Sequence, residues 1–237
     1  FDRAQLAYRK SIEMLSKFFE KIHILQNLYL KNKLFLKRKS YSMDGEDIEI
    51  SKCFKDKQNG FYVDVGAYHP IERNNTVILY KQGWEGVNID ISSFSIKLFN
   101  HLRPRDINLN LAISKNEGDI EMYFQKKLSQ LSTIKKTQIK KSFQGKVRTR
   151  KIISKTLTSV LDDSKFKERK IDFLDIDVEG ADMDVLESLD FKRYSPKAIC
   201  VEVIEENNED SHIFNFLREK GYEKIWSGVF SHLFKKT

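Results

Sequence analysis

Short apolar runs that alternate with helix-like stretches constrain the fold of this chain more than any other feature. Residues 61–66 (FYVDVG) and 86–91 (GVNIDI) are typical of buried strands, and a helix-like segment at about 75–82 separates them. Further strands are predicted at 107–113, 171–178 and 198–204, and further helices at 93–102, 182–189 and 210–220. Because the two kinds of element alternate, we predict an α/β fold with a mostly parallel sheet and helices on both faces.

The first 40 residues have a different pattern. From residue 2 to residue 36, apolar residues recur every three or four positions, and the segment contains no Gly or Pro. This spacing predicts an N-terminal helical extension over residues 1–40, ahead of a domain over residues 41–237. We expect the extension to pack on that domain or to form a homodimer contact. Its basic end makes peripheral membrane attachment the alternative.

The chain has a net charge of +8, and many of its basic residues are concentrated in two stretches, residues 31–39 and 135–155. Such stretches either form an ordinary solvated surface or attract a phosphate-bearing substrate, for example a nucleotide sugar or a lipid-linked glycan. The acidic segment LDIDVEGAD, which we expect to form part of the reaction site, would repel nucleic-acid phosphates. We therefore expect no nucleic-acid partner.

Cysteine content and hydropathy bear on the compartment. Cys53 and Cys200 lie far apart, and neither belongs to a CxxC pair or a zinc-like cluster. No apolar run approaches the roughly 20 residues of a membrane span, and no signal-peptide pattern is present. We therefore expect a reducing, cytoplasmic location without stable membrane insertion.

The turn after the first predicted strand resembles a nucleoside-binding turn. Gly66 directly follows that strand, and Asp64 lies near its carboxyl end, where it either contacts a ligand or caps the turn. Asp90 follows the second strand, roughly 20 residues on, where an acid commonly holds both ribose hydroxyls. Nicotinamide enzymes and methyltransferases share this arrangement. The absence of a GxGxxG motif disfavours the nicotinamide enzyme.

Five segments, taken together and in order, resemble the FkbM-type S-adenosylmethionine-dependent methyltransferases. They are YSMDGED (41–47), FYVDVGAYHPIERNNT (61–76), GWEGVNIDI (83–91), NLAIS (110–114) and IDFLDIDVEGADMDVL (171–186). The resemblance implies a Rossmann-like class I methyltransferase fold with S-adenosyl-L-methionine as the cofactor. It also implies methyl transfer to an oxygen of a sugar or a similar small-molecule or glycan acceptor.

The same resemblance assigns roles to residues that bind the donor. It implies that Asp64 and Gly66 line the methionine part, that Asp90 binds the ribose, that Ala112 and Ile113 flank the adenine, and that Glu46 closes over the donor. The chain departs from many relatives in one place, since His69-Pro70 stands where they have a second glycine.

The segment LDIDVEGAD contains the densest group of acids. Asp175, Asp177 and Glu179 alternate, so they share one face if the strand continues through them. Related sugar O-methyltransferases place a divalent metal at this edge of the sheet, and Asp177 with Glu202 occupies the matching strand ends. Carboxylate oxygens suit Mg or Mn. The alternative is that Asp177 and Glu179 accept backbone amides at the next helix.

Hydroxyl methylation requires a group that removes the proton around the time of attack. His69 follows the donor turn and is the best histidine for that role, with an ordinary surface residue as the alternative. With Asp177 and Glu179 it completes the predicted catalytic group. We predict an O-methyltransferase that acts on a nucleotide-linked sugar or glycan precursor in bacterial surface polysaccharide (capsule) biosynthesis. The alternatives are a nicotinamide-dependent enzyme and an inactive nucleic-acid-binding module.

Overall fold

The computed structural model describes residues 2–203 and 211–237 and divides into two units, Phe1–Lys39 and Ser40–Thr237. In the first unit, α1 (Asp2–Leu25) is followed by a π-helical turn, Gln26–Lys31. The predicted N-terminal helix is therefore confirmed. Among the residues that the structure describes, no helix combines the length and the apolar composition that a bilayer crossing requires.

The second unit contains ten strands and seven α-helices within the described ranges. The strands are β1 (Phe61–Val65), β2 (Glu85–Ile89), β3 (Ile107–Leu109), β4 (Ala112–Ile113), β5 (Gly118–Phe124), β6 (Arg148–Lys155), β7 (Phe173–Ile176), β8 (Ala198–Glu202), β9 (Tyr222–Ser227) and β10 (Ser231–Lys236). The helices are α2 (Glu46–Cys53), α3 (Val77–Lys81), α4 (Ser93–Leu102), α5 (Ile139–Ser142), α6 (Leu157–Asp162), α7 (Asp182–Glu187) and α8 (His212–Glu219).

Seven strands form the main sheet, in the order β3-β2-β1-β7-β8-β10-β9. The first five are parallel, and β10 pairs antiparallel with both β8 and β9. This arrangement confirms the predicted α/β fold with a mostly parallel sheet. The order reverses between β1 and β7, and ligands bind beyond the carboxyl ends of the strands at such a point.

The central strands are buried on both faces because their side chains alternate between two apolar cores. Val63 and Val65 of β1 belong to the larger core, whereas Tyr62 belongs to the smaller one on the opposite face. In β7, Leu174 and Phe173 divide in the same way. The core therefore holds the carboxyl ends of β1 and β7 side by side.

Several predicted boundaries differ from the structure. The predicted strand at 107–113 is two strands, because β3 joins the main sheet while β4 joins a second sheet in the order β4-β6-β5. Residues 125–150 form the connection between β5 and β6 and the first residues of β6. The predicted strand end at 204 and helix start at 210 lie outside the described residues.

Candidate active site

A cleft opens beyond the carboxyl ends of β1 and β2. Its walls come from the turns after β1, β2 and β7, from β4, and from the connection between β5 and β6. The lining residues are Val65, Gly66, Tyr68, Ile89, Asp90, Ile91, Leu111, Ala112, Ile113, Ser129, Gln130, Ser132, Ile134, Asp177, Val178 and Ala181. We call this space the nucleoside cleft.

Gly66 packs directly against the residue that follows β7. Its φ of +87° lies in the left-handed region. A Cβ atom there would lie 1.7 Å from the carbonyl oxygen of Asp177. The Gly66 amide also donates to the carbonyl of Ile89, at 2.9 Å. The glycine is therefore required by the neighbouring backbone, as well as being a wall of the cleft.

Asp90 presents its carboxylate to the same cleft. Its Oδ2 accepts from the Tyr68 amide at 2.8 Å, and its Oδ1 accepts from the Ser92 amide at 2.6 Å. Each oxygen keeps a second acceptor position, which matches the two donors of a vicinal diol. Burial raises the pKa of Asp90 to about 6, against the lowering effect of the two amides. The carboxylate is therefore ionised above pH 6 and protonated below it.

Replacing Asp90 by Asn should weaken S-adenosylmethionine binding by about 10- to 100-fold, because a charged acceptor of hydrogen bonds is lost. Calorimetric titration measures this affinity. In the unaltered protein the affinity should also fall as the pH drops below 6, since protonation removes an acceptor from Asp90. The Asn variant should lack this pH dependence. Equal affinity in both proteins would limit Asp90 to stabilising the turn.

The far wall of the nucleoside cleft is apolar. Ala112 and Ile113 are buried in β4, and Leu111 and Ile134 line the space beside them. Such a surface suits a planar base, which makes this wall a suitable place for the adenine. Ile134 belongs to the connection between β5 and β6, which the sequence had no specific signal to place here.

Asp64 lies beneath the turn rather than in the lining of the cleft. Its Oδ2 accepts from the Asn74 amide group at 2.9 Å and from the Thr76 hydroxyl at 2.8 Å. Burial raises its pKa, and the nearby Arg103 guanidinium opposes that shift. The interpretation of Asp64 as an acid that organises the turn fits these contacts, whereas direct contact with the donor stays a prediction.

Arg103 is a positioning residue that the sequence did not reveal. Its side chain is 1% exposed. It donates to Thr76 Oγ1 and Asn74 Oδ1 at 2.7 Å each, to the Pro70 carbonyl at 2.9 Å and to Tyr62 Oη at 3.2 Å. It thereby ties the segment after β1 to the end of α4. A lone Arg after a predicted helix carries no motif that would single it out.

Replacing Arg103 by Met should destabilise the protein by about 3–5 kcal/mol, since the buried acids lose their cation. For a chain of this size, that corresponds to a fall in Tm of about 6–20 °C by calorimetry. The matched control is Arg105→Met, because Arg105 is exposed and donates only to the Tyr80 carbonyl and stacks on the Tyr80 ring. Equal Tm values for the two variants would contradict the assignment.

A second cavity adjoins the nucleoside cleft. We call it the acidic cavity because four carboxylates line it. Its lining residues are Met43, Asp44, Glu46, Arg73, Asn75, Gln130, Asp177, Glu202, Phe230 and Ser231. Asp177 and Gln130 belong to both spaces. Glu46, predicted to close over the donor, lines the acidic cavity only and accepts from the Asp44 amide at 2.7 Å.

Asp177 and Glu202 come together because β7 and β8 are parallel neighbours. The register pairs Ile176 with Val201, so the two acids follow at adjoining strand ends. Although Asp177 keeps contact with solvent, desolvation by the surrounding groups and the charge of Glu202 raise its pKa above the usual range. Burial, with Glu179 and Asp182 nearby, raises the pKa of Glu202 to about 8. Near neutral pH this group therefore retains protons.

The predicted shared face of Asp175, Asp177 and Glu179 is wrong. Strand β7 ends at Ile176, and Glu179 has a left-handed φ of 53°. Asp175 is buried and accepts from the Asn75 amide group at 3.0 Å. Glu179 lies outside the lining of both cavities, and burial raises its pKa to about 7.

The amides of the turn between β7 and α7, which the alternative assigned to Asp177 and Glu179, donate instead to Asp182, the first residue of α7. Its two carboxylate oxygens accept from the amides of Val178 and Gly180, at 3.1 Å each. This leaves the Asp177 carboxylate available to the cavities. Glu202 is more unusual, because its Oε2 is buried and has no hydrogen-bond partner among the residues that the structure describes.

The ring of His69 is buried within the segment that follows β1. It is 1% exposed, and its Nδ1 accepts from the amides of Ile71 and Glu72 at 3.2 and 3.1 Å. An Nδ1 that accepts is unprotonated, so the neutral ring stabilises the turn. His69 lines neither the nucleoside cleft nor the acidic cavity. The geometry therefore favours the acidic pair over His69 for proton removal.

A metal ion does not fit the described residues. Within residues 2–203 and 211–237, no group of three or more His, Cys, Asp or Glu side chains could hold one. Asp177 and Glu202 alone supply fewer ligands than Mg or Mn prefers. We therefore derive no step from a metal at this pair.

The sequence as a whole matches a known family. A model of the FkbM methyltransferase domain matches residues 64–224, which is more than half of the chain. The chain belongs to the FkbM methyltransferase family. It is therefore a methyltransferase, and the family implies S-adenosylmethionine as the methyl donor. A search of curated protein sequences gives no match.

Solved structures of other methyltransferases are distantly similar. The precorrin-6y C5,15-methyltransferase of Geobacter metallireducens is 8% identical, with 85% of this chain and 94% of that chain covered and a TM-score of 0.43. A TehB-like SAM-dependent methyltransferase of Corynebacterium glutamicum is 11% identical, with coverages of 83% and 89% and a TM-score of 0.41. At these scores, neither protein informs the acceptor of this FkbM family member.

Proposed function

We propose that this FkbM family member is an O-methyltransferase for a sugar hydroxyl. The sugar is carried by a nucleotide or a glycan precursor, in a cytoplasmic step of bacterial surface polysaccharide (capsule) biosynthesis. One observation supports the proposal most. The nucleoside cleft and the acidic cavity meet at Asp177, so a methyl donor in one would face an acceptor in the other.

The nucleoside cleft fits S-adenosylmethionine, which supplies an activated methyl group on its sulfonium. Asp90 would accept hydrogen bonds from the ribose hydroxyls, and Ala112 and Ile113 would hold the adenine. Gly66 and Asp177 line the part of the cleft that would receive the methionine part. These contacts bind and orient the donor, which is the main contribution that an enzyme makes to transfer from an activated group.

The acidic cavity suits a polyhydroxylated acceptor. Carboxylates, the Asn75 amide and the Ser231 hydroxyl line it, and sugar hydroxyls can donate to and accept from such groups. Asp177 and Glu202 lie at its border with the cleft. In this proposal the pair accepts the proton of the attacking hydroxyl, and Glu202 Oε2, to which no described residue donates, is the acceptor position.

The basic residues of β6 and of the connection between β5 and β6 favour an acceptor that carries phosphate. Residues 125–155 contain eleven Lys and Arg and no Asp or Glu. Lys135 is paired with Asp184 at 2.5 Å and Lys155 with Asp163 at 2.6 Å. Ser129, Gln130 and Ser132 of the same segment line the nucleoside cleft. Positive potential beside the site would attract the diphosphate of a nucleotide sugar or a lipid-linked glycan.

The rate of methyl transfer should rise with pH and level off above about pH 8. The pair of Asp177 and Glu202 must lose a proton before it can accept the proton of the acceptor hydroxyl. Glu202 has a pKa of about 8. An acid with a raised pKa is inactive as a base below that value and active above it. Single-turnover rates between pH 6 and pH 9.5, at saturating donor, measure this dependence. A rate that is flat over this range would exclude the pair as proton acceptor.

The proposed activity is tested in two steps. Calorimetry first measures binding of S-adenosylmethionine to the full chain, with Asp90→Asn as the matched control. Transfer of a labelled methyl group to nucleotide sugars, and to the same sugars without the nucleotide, then identifies the acceptor class. We expect transfer to the nucleotide-linked forms. Failure to bind the donor, with binding of NADH or salt-dependent binding of RNA instead, would overturn the proposal.

A further inference from the structure

The amphipathic helix α1 has an apolar face that its own unit leaves uncovered. At 100° per residue, Met14, Phe18, Ile22 and Leu25 fall on one side of the helix. Their exposed fractions are 70%, 59%, 43% and 39%. Further exposed apolar residues widen the same face, namely Tyr8, Ile12, Leu15 and Phe19. A face of this width normally packs against another apolar surface.

The opposite side of α1 is charged, with more basic than acidic residues. It presents Arg9, Lys10, Lys17 and Lys21 together with Glu13 and Glu20, and Lys17 pairs with Glu13 at 2.6 Å. The segment after the helix continues the pattern, since Phe35 is 70% exposed within the basic stretch 31–39. An apolar face beside a Lys- and Arg-rich face is the pattern of a helix that lies in a lipid interface.

Nearly all of the net charge of the chain belongs to this unit. Residues 1–39 contain ten Lys and Arg against three Asp and Glu, a net charge of +7. Residues 40–237 contain thirty-two against thirty-one, a net charge of +1. A second copy of the unit would carry the same +7 and would be repelled. A surface of anionic lipids would be attracted, since each basic residue near it contributes to binding.

We propose that the first unit binds the surface of an anionic membrane, with α1 parallel to the surface and its apolar face among the acyl chains. The charged side of α1 stays in the headgroup layer, so the helix lies on the membrane without crossing it. This inference does not depend on the acceptor of the methyltransferase or on the residues of its active site.

Vesicle sedimentation with the full chain tests the proposal. The vesicles are phosphatidylcholine alone, or phosphatidylcholine with about 30 mol% phosphatidylglycerol as the anionic lipid. We expect binding to the anionic vesicles and at least tenfold weaker binding to the neutral ones, since about 1.4 kcal/mol is a factor of ten. Raising the salt from about 0.1 M to about 1 M should weaken the binding, because the Debye length falls from about 10 Å to about 3 Å.

Two substitutions with the same charge change separate the apolar contact from electrostatics. Phe18→Asp places a carboxylate on the apolar face, and Ser16→Asp places one on the polar side of α1. Phe18→Asp should weaken vesicle binding by about tenfold or more, because a buried aromatic side chain is lost. Ser16→Asp should have a much smaller effect. Circular dichroism and donor affinity, unchanged in both variants, report that both units keep their folds.

Two results would overturn the proposal. One is equal binding, or none, to the neutral and anionic vesicles. The other is a dimer by light scattering that Phe18→Asp dissociates, together with no vesicle binding, which would assign the apolar face to a second copy. Donor binding is measured in the same samples, so failure here is distinguishable from failure of the proposed methyl transfer.

Discussion

Replacing Asp177 by Asn should lower kcat by about 10²- to 10⁴-fold, the usual contribution of a positioned proton acceptor. Asp177 is the carboxylate that lines both the nucleoside cleft and the acidic cavity. Asn keeps the size and polarity of the side chain but cannot accept a proton. Donor affinity should change by less than about threefold, because the lost contribution belongs to the transition state. Single-turnover transfer and calorimetry measure the two quantities separately.

The matched control for this experiment is Asp163→Asn. Asp163 is exposed and pairs with Lys155 on the surface, so the same chemical change there should leave kcat unaltered. A kcat of Asp177→Asn within about threefold of the unaltered protein would exclude Asp177 as proton acceptor. Loss of activity in EDTA, with recovery in Mn²⁺, would instead favour the metal that the sequence predicted at Asp177 and Glu202.

Replacing Gly66 by Ala should prevent folding or abolish donor binding. The added Cβ would lie 1.7 Å from the Asp177 carbonyl oxygen, and the obstructing atom is backbone rather than a flexible side chain. The turn after β1 or the end of β7 must therefore move by more than an ångström. We expect a loss of more than about 4 kcal/mol in the free energy of unfolding. Chemical denaturation and calorimetric titration with donor measure both outcomes.

Gly145 provides a matched control for backbone strain. Its φ of +88° is almost the same as the +87° of Gly66, but nothing lies within 4 Å of its Cβ position. Gly145→Ala should therefore cost only the strain of the left-handed conformation, about 1–2 kcal/mol. The difference between the two variants isolates the contact with Asp177. Similar stabilities would show that the turn adjusts without affecting β7.

The pattern of apolar residues predicted the parallel strands of the main sheet, but it did not predict the antiparallel strands β9 and β10. Strands buried on both faces leave continuous apolar runs, as in β1 and β7. Strands β9 and β10 alternate weakly and contain several exposed residues, so no comparable run marks them. Strand β10 pairs with β8, which is distant in the sequence, and β9 pairs with β10.

The candidate site was likewise predicted in part. Gly66 and Asp90 could be located from the sequence because a strand and a turn precede them directly, and both line the nucleoside cleft. The role of His69 could not be judged in the same way. Whether its ring faces a substrate or accepts from the Ile71 and Glu72 amides depends on how the turn closes.

The sequence by itself determined the α/β architecture and the family. Both follow from local patterns, namely apolar strands, the turns after them and the acidic residues at the strand ends. Only the tertiary structure decided that the acidic cavity meets the nucleoside cleft at Asp177. It also decided that Asp182 accepts from the turn before α7, and that Glu202 lies beside Asp177 with a buried oxygen to which no described residue donates. The physical reason is that these relations join residues of different strands. Their distances depend on the register of β7 against β8, which no local pattern encodes.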